Sequence, residues 1–68
     1  MPLSVRNQFP GTVKEVKTGA VMAEIIVDVG GGNKFVSAIT KDAAEDLSLK
    51  VGDQVTVLVK STSVMIQK

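Results

Sequence analysis

Cysteine and histidine are absent from the 68 residues, as are tryptophan and tyrosine, and only two phenylalanines and two prolines occur. Without cysteine no disulfide staples so short a chain, and without cysteine or histidine nearly every ligand of a structural zinc site is missing. The same absences thin out catalysis. General acid–base work near neutral pH draws first on histidine, and nucleophilic catalysis wants cysteine or a serine beside a base. None of Ser4, Ser37, Ser48, Ser61 or Ser63 has an evident partner base in the sequence, and Glu15, Glu24, Asp28, Asp42, Glu45, Asp46 and Asp53 show no calcium-loop spacing. The expectation is a binding protein that catalyses nothing and has no residue ligating a metal directly.

Long apolar runs are missing too. No stretch approaches the eighteen residues of a membrane span, and Met1-Pro2-Leu3-Ser4-Val5-Arg6 lacks a basic stretch followed by a hydrophobic core. A cytoplasmic protein without membrane contact is expected. Net charge is +1, from eight Lys and Arg against seven Asp and Glu, so no global field steers the chain to a polyanion. Charge recognition has to be local.

What is present in excess is aliphatic surface. Hydrophobic residues make up 44% of the chain and mean hydropathy is +0.25, high for a single domain, residues 1–68, too small to bury them all. With disulfides and zinc excluded, oligomerisation is the remaining usual source of stability. Met22, Ile26, Val36, Leu58 and Met65 are the side chains that need a partner surface.

The pattern along the chain is mostly of period two. Val21, Ala23, Ile25, Val27 and Val29 alternate with a face carrying Glu24 and Asp28, as in a half-buried strand. Gly30-Gly31-Gly32-Asn33 follows as a hairpin turn, since it lacks the Lys-Ser/Thr of a phosphate-binding loop, and Phe35 to Ile39 resumes as a strand. Thr40 is placed as the N-cap of a short helix with Asp42 in its first turn and Ala43, Ala44 and Leu47 on one face. Beyond the turn at Gly52-Asp53, Val55, Val57 and Val59 alternate with Gln54, Thr56 and Lys60, and only Leu58 breaks the polar side. Val64, Met65 and Ile66 read as a last short strand. At the start, Val5, Phe9 and Val13 share one parity and Val16 is out of phase, which calls for a bend or bulge near Pro10-Gly11.

The predicted fold class is therefore all-β: a five-stranded, OB-like Greek-key barrel with one short helix between strands 3 and 4. Such barrels commonly bind nucleic acid through basic grooves and stacked aromatics. Here Phe9 and Phe35 are the whole aromatic set and are better explained as core, so an OB-fold nucleic-acid-binding module is kept as the alternative and no nucleic acid is expected as partner.

Two polar clusters, Ser4-Val5-Arg6-Asn7 and Lys60-Ser61-Thr62, stand out at the ends of the pattern. Each alone is ordinary strand-end and turn chemistry. Together they offer two cations to neutralise a dianion, hydroxyls and amides to surround a tetrahedron, and no carboxylate to repel it.

Ser4-Val5-Arg6-Asn7-Gln8-Phe9 with Gly11, then Gly31-Gly32-Asn33-Lys34, Ile39-Thr40, and Val59-Lys60-Ser61-Thr62-Ser63-Val64-Met65-Ile66, in order over essentially the full chain, resemble the molbindins, the stand-alone Mop-domain molybdate-binding proteins. The resemblance implies a homo-oligomer, a hexamer built as a trimer of dimers, holding molybdate, or tungstate of the same charge and shape, at subunit interfaces for intracellular storage and homeostasis. Carried onto this sequence, the oxyanion-binding set is Ser4, the Val5 backbone, Arg6, Thr40, the Ala43 backbone, Lys60 and Ser61. Relatives can carry serine at the Ala43 position; alanine leaves only the amide there.

Overall fold

The computed structural model describes residues 4–68. Four strands, β1 (Asn7–Thr18), β2 (Met22–Gly30), β3 (Asn33–Thr40) and β4 (Gln54–Val59), form one antiparallel sheet in the order β3-β2-β1-β4, with helix α1 (Lys41–Asp46) between β3 and β4. The alternation read in the sequence sets its two faces. Val13, Ala23, Ile25 and Val27 are buried on the inner face, and Ala44 of α1 joins them. Phe9 of β1 meets Phe35 of β3 with ring centroids 5.1 Å apart, although β2 lies between those strands in the sheet. That contact shows how strongly the sheet curls.

Local chemistry explains the turns. Gly30 pairs with Asn33 across Gly31 and Gly32, whose φ values of 63° and 78° suit the left-handed two-residue turn that matches strand twist. Gly11 is required for a different reason: a Cβ there would stand 2.6 Å from the Asp28 carbonyl oxygen. Thr40 caps α1 as expected, its Oγ1 accepting from the Ala43 amide at 3.1 Å. The loop before β4 is fastened to the sheet centre, the Val13 amide donating to Asp53 O at 2.9 Å and the Gly52 amide to Val13 O at 2.8 Å.

Several expectations are corrected. The irregularity of β1 lies between Val13 and Glu15, where Lys14 is the extra residue, while Pro10 and Gly11 keep continuous register with Thr56 and Val55. A bulge there shifts the phase, so Val13 and Val16 both reach the core despite opposite parity. On α1 only Ala44 is buried, and Leu47, just past the helix, is 66% exposed. Val21 precedes β2 and is exposed as well. Most important, the sheet formed by the described residues has four strands, not five. After β4 a 3-10 turn spans Ser61–Ser63, and Val64, Met65 and Ile66 find no ladder partner among the described residues; Met65 and Ile66 are 92% and 89% exposed. A strand exists only against a partner, and this chain, by itself, leaves the β3 and β4 edges unjoined. The coarse prediction of a mostly β, curled antiparallel sheet with one short helix between strands 3 and 4 is borne out.

Candidate functional site

The two polar clusters meet where β1 begins and β4 ends. In the ladder Asn7 opposes Val59 and Gln8 opposes Leu58, and Arg6 and Lys60 are the residues that flank this last pair, just outside β1 and β4. Two side-chain amides fasten this corner. Asn7 Nδ2 donates to Val59 O at 3.1 Å, and Gln8 Nε2 donates to Val5 O at 2.8 Å. On the other side, the Ser63 amide closes the turn onto Lys60 O at 2.8 Å.

An open cavity of about 390 Å³ lies at this corner, lined by Ser4, Val5, Leu58, Lys60, Ser61 and Thr62. Four of the seven residues singled out in the sequence, Ser4, Val5, Lys60 and Ser61, thus share one cavity within a single chain. Arg6 is exposed beside it and does not line it. The ion pairs formed among the described residues, Lys17 with Glu15 and Lys41 with Glu45, involve neither Arg6 nor Lys60. No carboxylate lines the cavity, and no trio of acidic side chains among the described residues is placed to hold a metal ion.

Thr40 and Ala43 lie elsewhere. Thr40 opposes Met22 in the ladder, and Ala23 opposes Thr18, so this pair belongs to the far end of β1 from Asn7. The Ala43 amide, counted in the sequence as an anion donor, donates to Thr40 Oγ1 in this structure. Because Thr40 Oγ1 accepts that bond, its own O–H is left to donate outward.

Four contributors had no role at the site in the sequence reading. Thr62 belongs to the polar cluster but not to the expected binding set, yet it lines the cavity. Asn7 and Gln8 were part of the recognised motif without a role, and their amides hold the corner together. Leu58 carried the clearest signal, as the one apolar break in the polar side of its strand, and it forms the apolar wall.

The model of the TOBE domain matches residues 3–66. The chain belongs to the TOBE-domain family. Within that family it is 47% identical over 66 residues to molybdenum-pterin-binding protein 2 of Clostridium pasteurianum, with 97% of each chain covered. It superposes on a molybdate-binding protein of Sporomusa ovata with a TM-score of 0.94 at 47% identity, covering all of both chains. Ligand-free MopII of Clostridium pasteurianum gives a TM-score of 0.92 at 45% identity, over 98% of this chain and all of the other. These matches bear out the resemblance to the molbindins drawn from the sequence motifs, and the TOBE relatives so named are binding proteins.

Proposed function

We propose that the protein binds molybdate passively in a site that is finished only when two copies meet. The observation that carries this reading is the cavity at the corner of β1 and β4, where Ser4, Val5, Lys60 and Ser61 converge with no carboxylate. Lys60 and the adjoining Arg6 supply two positive charges for a dianion, and the hydroxyls supply donors; charge-assisted bonds of this kind are the strong ones. Thr40 of a second copy adds a further hydroxyl, oriented by its Ala43 amide. The names of the TOBE relatives agree with the ligand.

Size supports the second copy. Four oxygens at the volume of liquid water occupy roughly 120 Å³, so a tetrahedral oxyanion fills only part of a 390 Å³ cavity and needs another wall. The lone protomer exposes 5433 Å², whereas a monomeric protein of 7.1 kDa exposes about 4,100 Å². The excess exceeds the roughly 800 Å² that one partner contributes to a standard interface. Its geometry is telling: an apolar groove of about 280 Å³ runs between the open β3 and β4 edges, lined by Ile39, Leu49, Val55, Val57 and Leu58 among others. The exposed Val64, Met65 and Ile66 of another copy have the apolar character to cover it, and among the described residues they form no ladder within their own chain.

The assembly in this reading is a hexamer, a trimer of dimers, the ligand set extends to tungstate, and the role is storage and homeostasis of the oxyanion in the cytoplasm without catalysis. No helix among the described residues is long and apolar enough to cross a membrane. Calorimetric titration with molybdate, run beside sedimentation of the free and loaded protein, tests the proposal. Saturable heat with a ligand-stabilised oligomer is expected. Absence of heat, or heat from a strictly monomeric species, overturns it.

A further inference from the structure

Phe9 and Phe35, expected as core, lie outside the buried cluster of Val13, Ala23, Ile25, Val27 and Ala44, and Phe9 is 38% exposed. Leaving a phenylalanine partly in water forgoes more apolar burial than leaving a valine there. Yet these two rings are the whole aromatic set of the chain, and they meet each other, tilted by 39° with centroids 5.1 Å apart. Beside them opens a second cavity of about 290 Å³, lined by both rings, Val59, Val64, Asn7 and Ser63. It shares no lining residue with the oxyanion cavity.

The lining decides the class of ligand. It contains neither a cation nor a carboxylate, so nothing there holds a charged group. The rings and valines offer apolar surface, and an aromatic face stacks on a heteroaromatic ring whatever its identity. The polar part is small and uncommitted. Asn7 Nδ2 spends one of its two protons on Val59 O at 3.1 Å, and neither Asn7 Oδ1 nor the Ser63 hydroxyl makes a hydrogen bond among the described residues. An acceptor and a hydroxyl beside a stacking surface can fix the N–H and ring-nitrogen edge of a heterocycle. Size limits the occupant to one ring system, since small-molecule sites begin at roughly 300 Å³.

We infer that this cavity is a second binding site, which takes an uncharged, planar, bicyclic heteroaromatic ring of purine size, stacked on the Phe9–Phe35 pair with its polar edge at Asn7 and Ser63. No group that would hold the oxyanion takes part, so the two sites stand or fall separately. Lacking tyrosine, tryptophan and histidine, the chain has aromatic ring protons only on these two residues, and their NMR signals report the site directly. Adenine titrated into the intact protein without molybdate is expected to shift the signals of both rings saturably, and Phe9→Leu to weaken that binding at least about fivefold with the β-sheet circular dichroism retained. No saturable shift, as when a second copy covers the cavity in the oligomer, overturns the inference, and so does a folded Phe9→Leu that binds adenine as the parent does. Ser63→Ala keeps the test open if Phe9→Leu does not fold, because Ser63 is exposed and outside the core. It should weaken adenine about threefold and leave naphthalene, a bicycle without a polar edge, unchanged. An unchanged adenine affinity, or an equal loss for both probes, removes the polar edge and with it the proposed class of ligand.

Discussion

Around Val13 every partner comes from the same chain: its amide and carbonyl close onto Asp53 and Gly52, and its side chain is fully buried among Ala23, Ile25, Val27 and Ala44. Fifty residues further on, Val64, Met65 and Ile66 have the same apolar character, but Val64 is only half-buried and Met65 and Ile66 have almost no burial. The cations of the candidate site, Arg6 and Lys60, sit in the second region, exposed and without an ion pair among the described residues. The contrast teaches that this chain completes its folding where it is self-sufficient and keeps its recognition chemistry where it is not. A ligand bound at such a rim is thermodynamically linked to assembly, because whatever binds the associated form favours it.

The largest expected effect comes from removing the incomplete region altogether. Deleting residues 64–68 takes away three aliphatic side chains, each worth about 1.5–3 kcal/mol if fully buried against a partner. The expected outcome is collapse of the oligomer to monomers in sedimentation velocity with the β-sheet circular dichroism signal retained. An oligomer that survives the deletion breaks the comparison, since the tail would then contribute nothing to association.

The complementary cut is made inside. Ile25→Ala opens a cavity beside Val13 and Val27 and is expected to cost about 2–5 kcal/mol in denaturant unfolding. A core this small holds little reserve, so the variant should unfold as a free chain. Normal unfolding would mean that stability resides in the assembly and not in the sheet centre.

Lys60→Ala sharpens the distinction between the regions. Lys60 is exposed and outside the hydrophobic core, so unfolding in the absence of ligand should change by no more than about 0.5 kcal/mol. Molybdate affinity should fall by about 2–5 kcal/mol if the anion is desolvated, read by calorimetry. An equal loss in both measurements would make Lys60 a structural residue.

The self-sufficient region is also the one that was legible in the sequence. Ala23, Ile25 and Val27 announce their face by strict alternation, Gly31-Gly32 announces a turn that needs positive φ, and Thr40 announces a cap; each signal is local, and each is satisfied within a few residues or across one hairpin. The bulge was displaced to Lys14 because Pro10-Gly11 has the composition of a break while serving as a close approach to Asp28. The fifth strand could not be placed, because Val64-Met65-Ile66 carries a strand pattern but no information about which edge receives it. The site was half legible for the same reason. Charge and hydroxyl content pointed to Ser4, Arg6, Lys60 and Ser61, but the separation of Thr40 and Ala43 from that corner is a property of the ladder and not of spacing along the chain.

The smallest expected effect separates the two roles of Thr40. As the cap of α1 it accepts from the Ala43 amide, so Thr40→Ala should cost about 1 kcal/mol of stability, a fall of roughly 4–8 °C in Tm for a domain of this size. Thr40→Asp keeps a good capping oxygen and adds favourable negative charge at the helix start, so its Tm should stay near that of the parent. The same carboxylate would face the oxyanion in the two-copy site, and molybdate binding should fall sharply. Thermal melts and molybdate titrations on this one pair of variants therefore decide whether the far end of β1 belongs to the site: if Thr40→Asp binds molybdate as the parent does, Thr40 is a cap and nothing more.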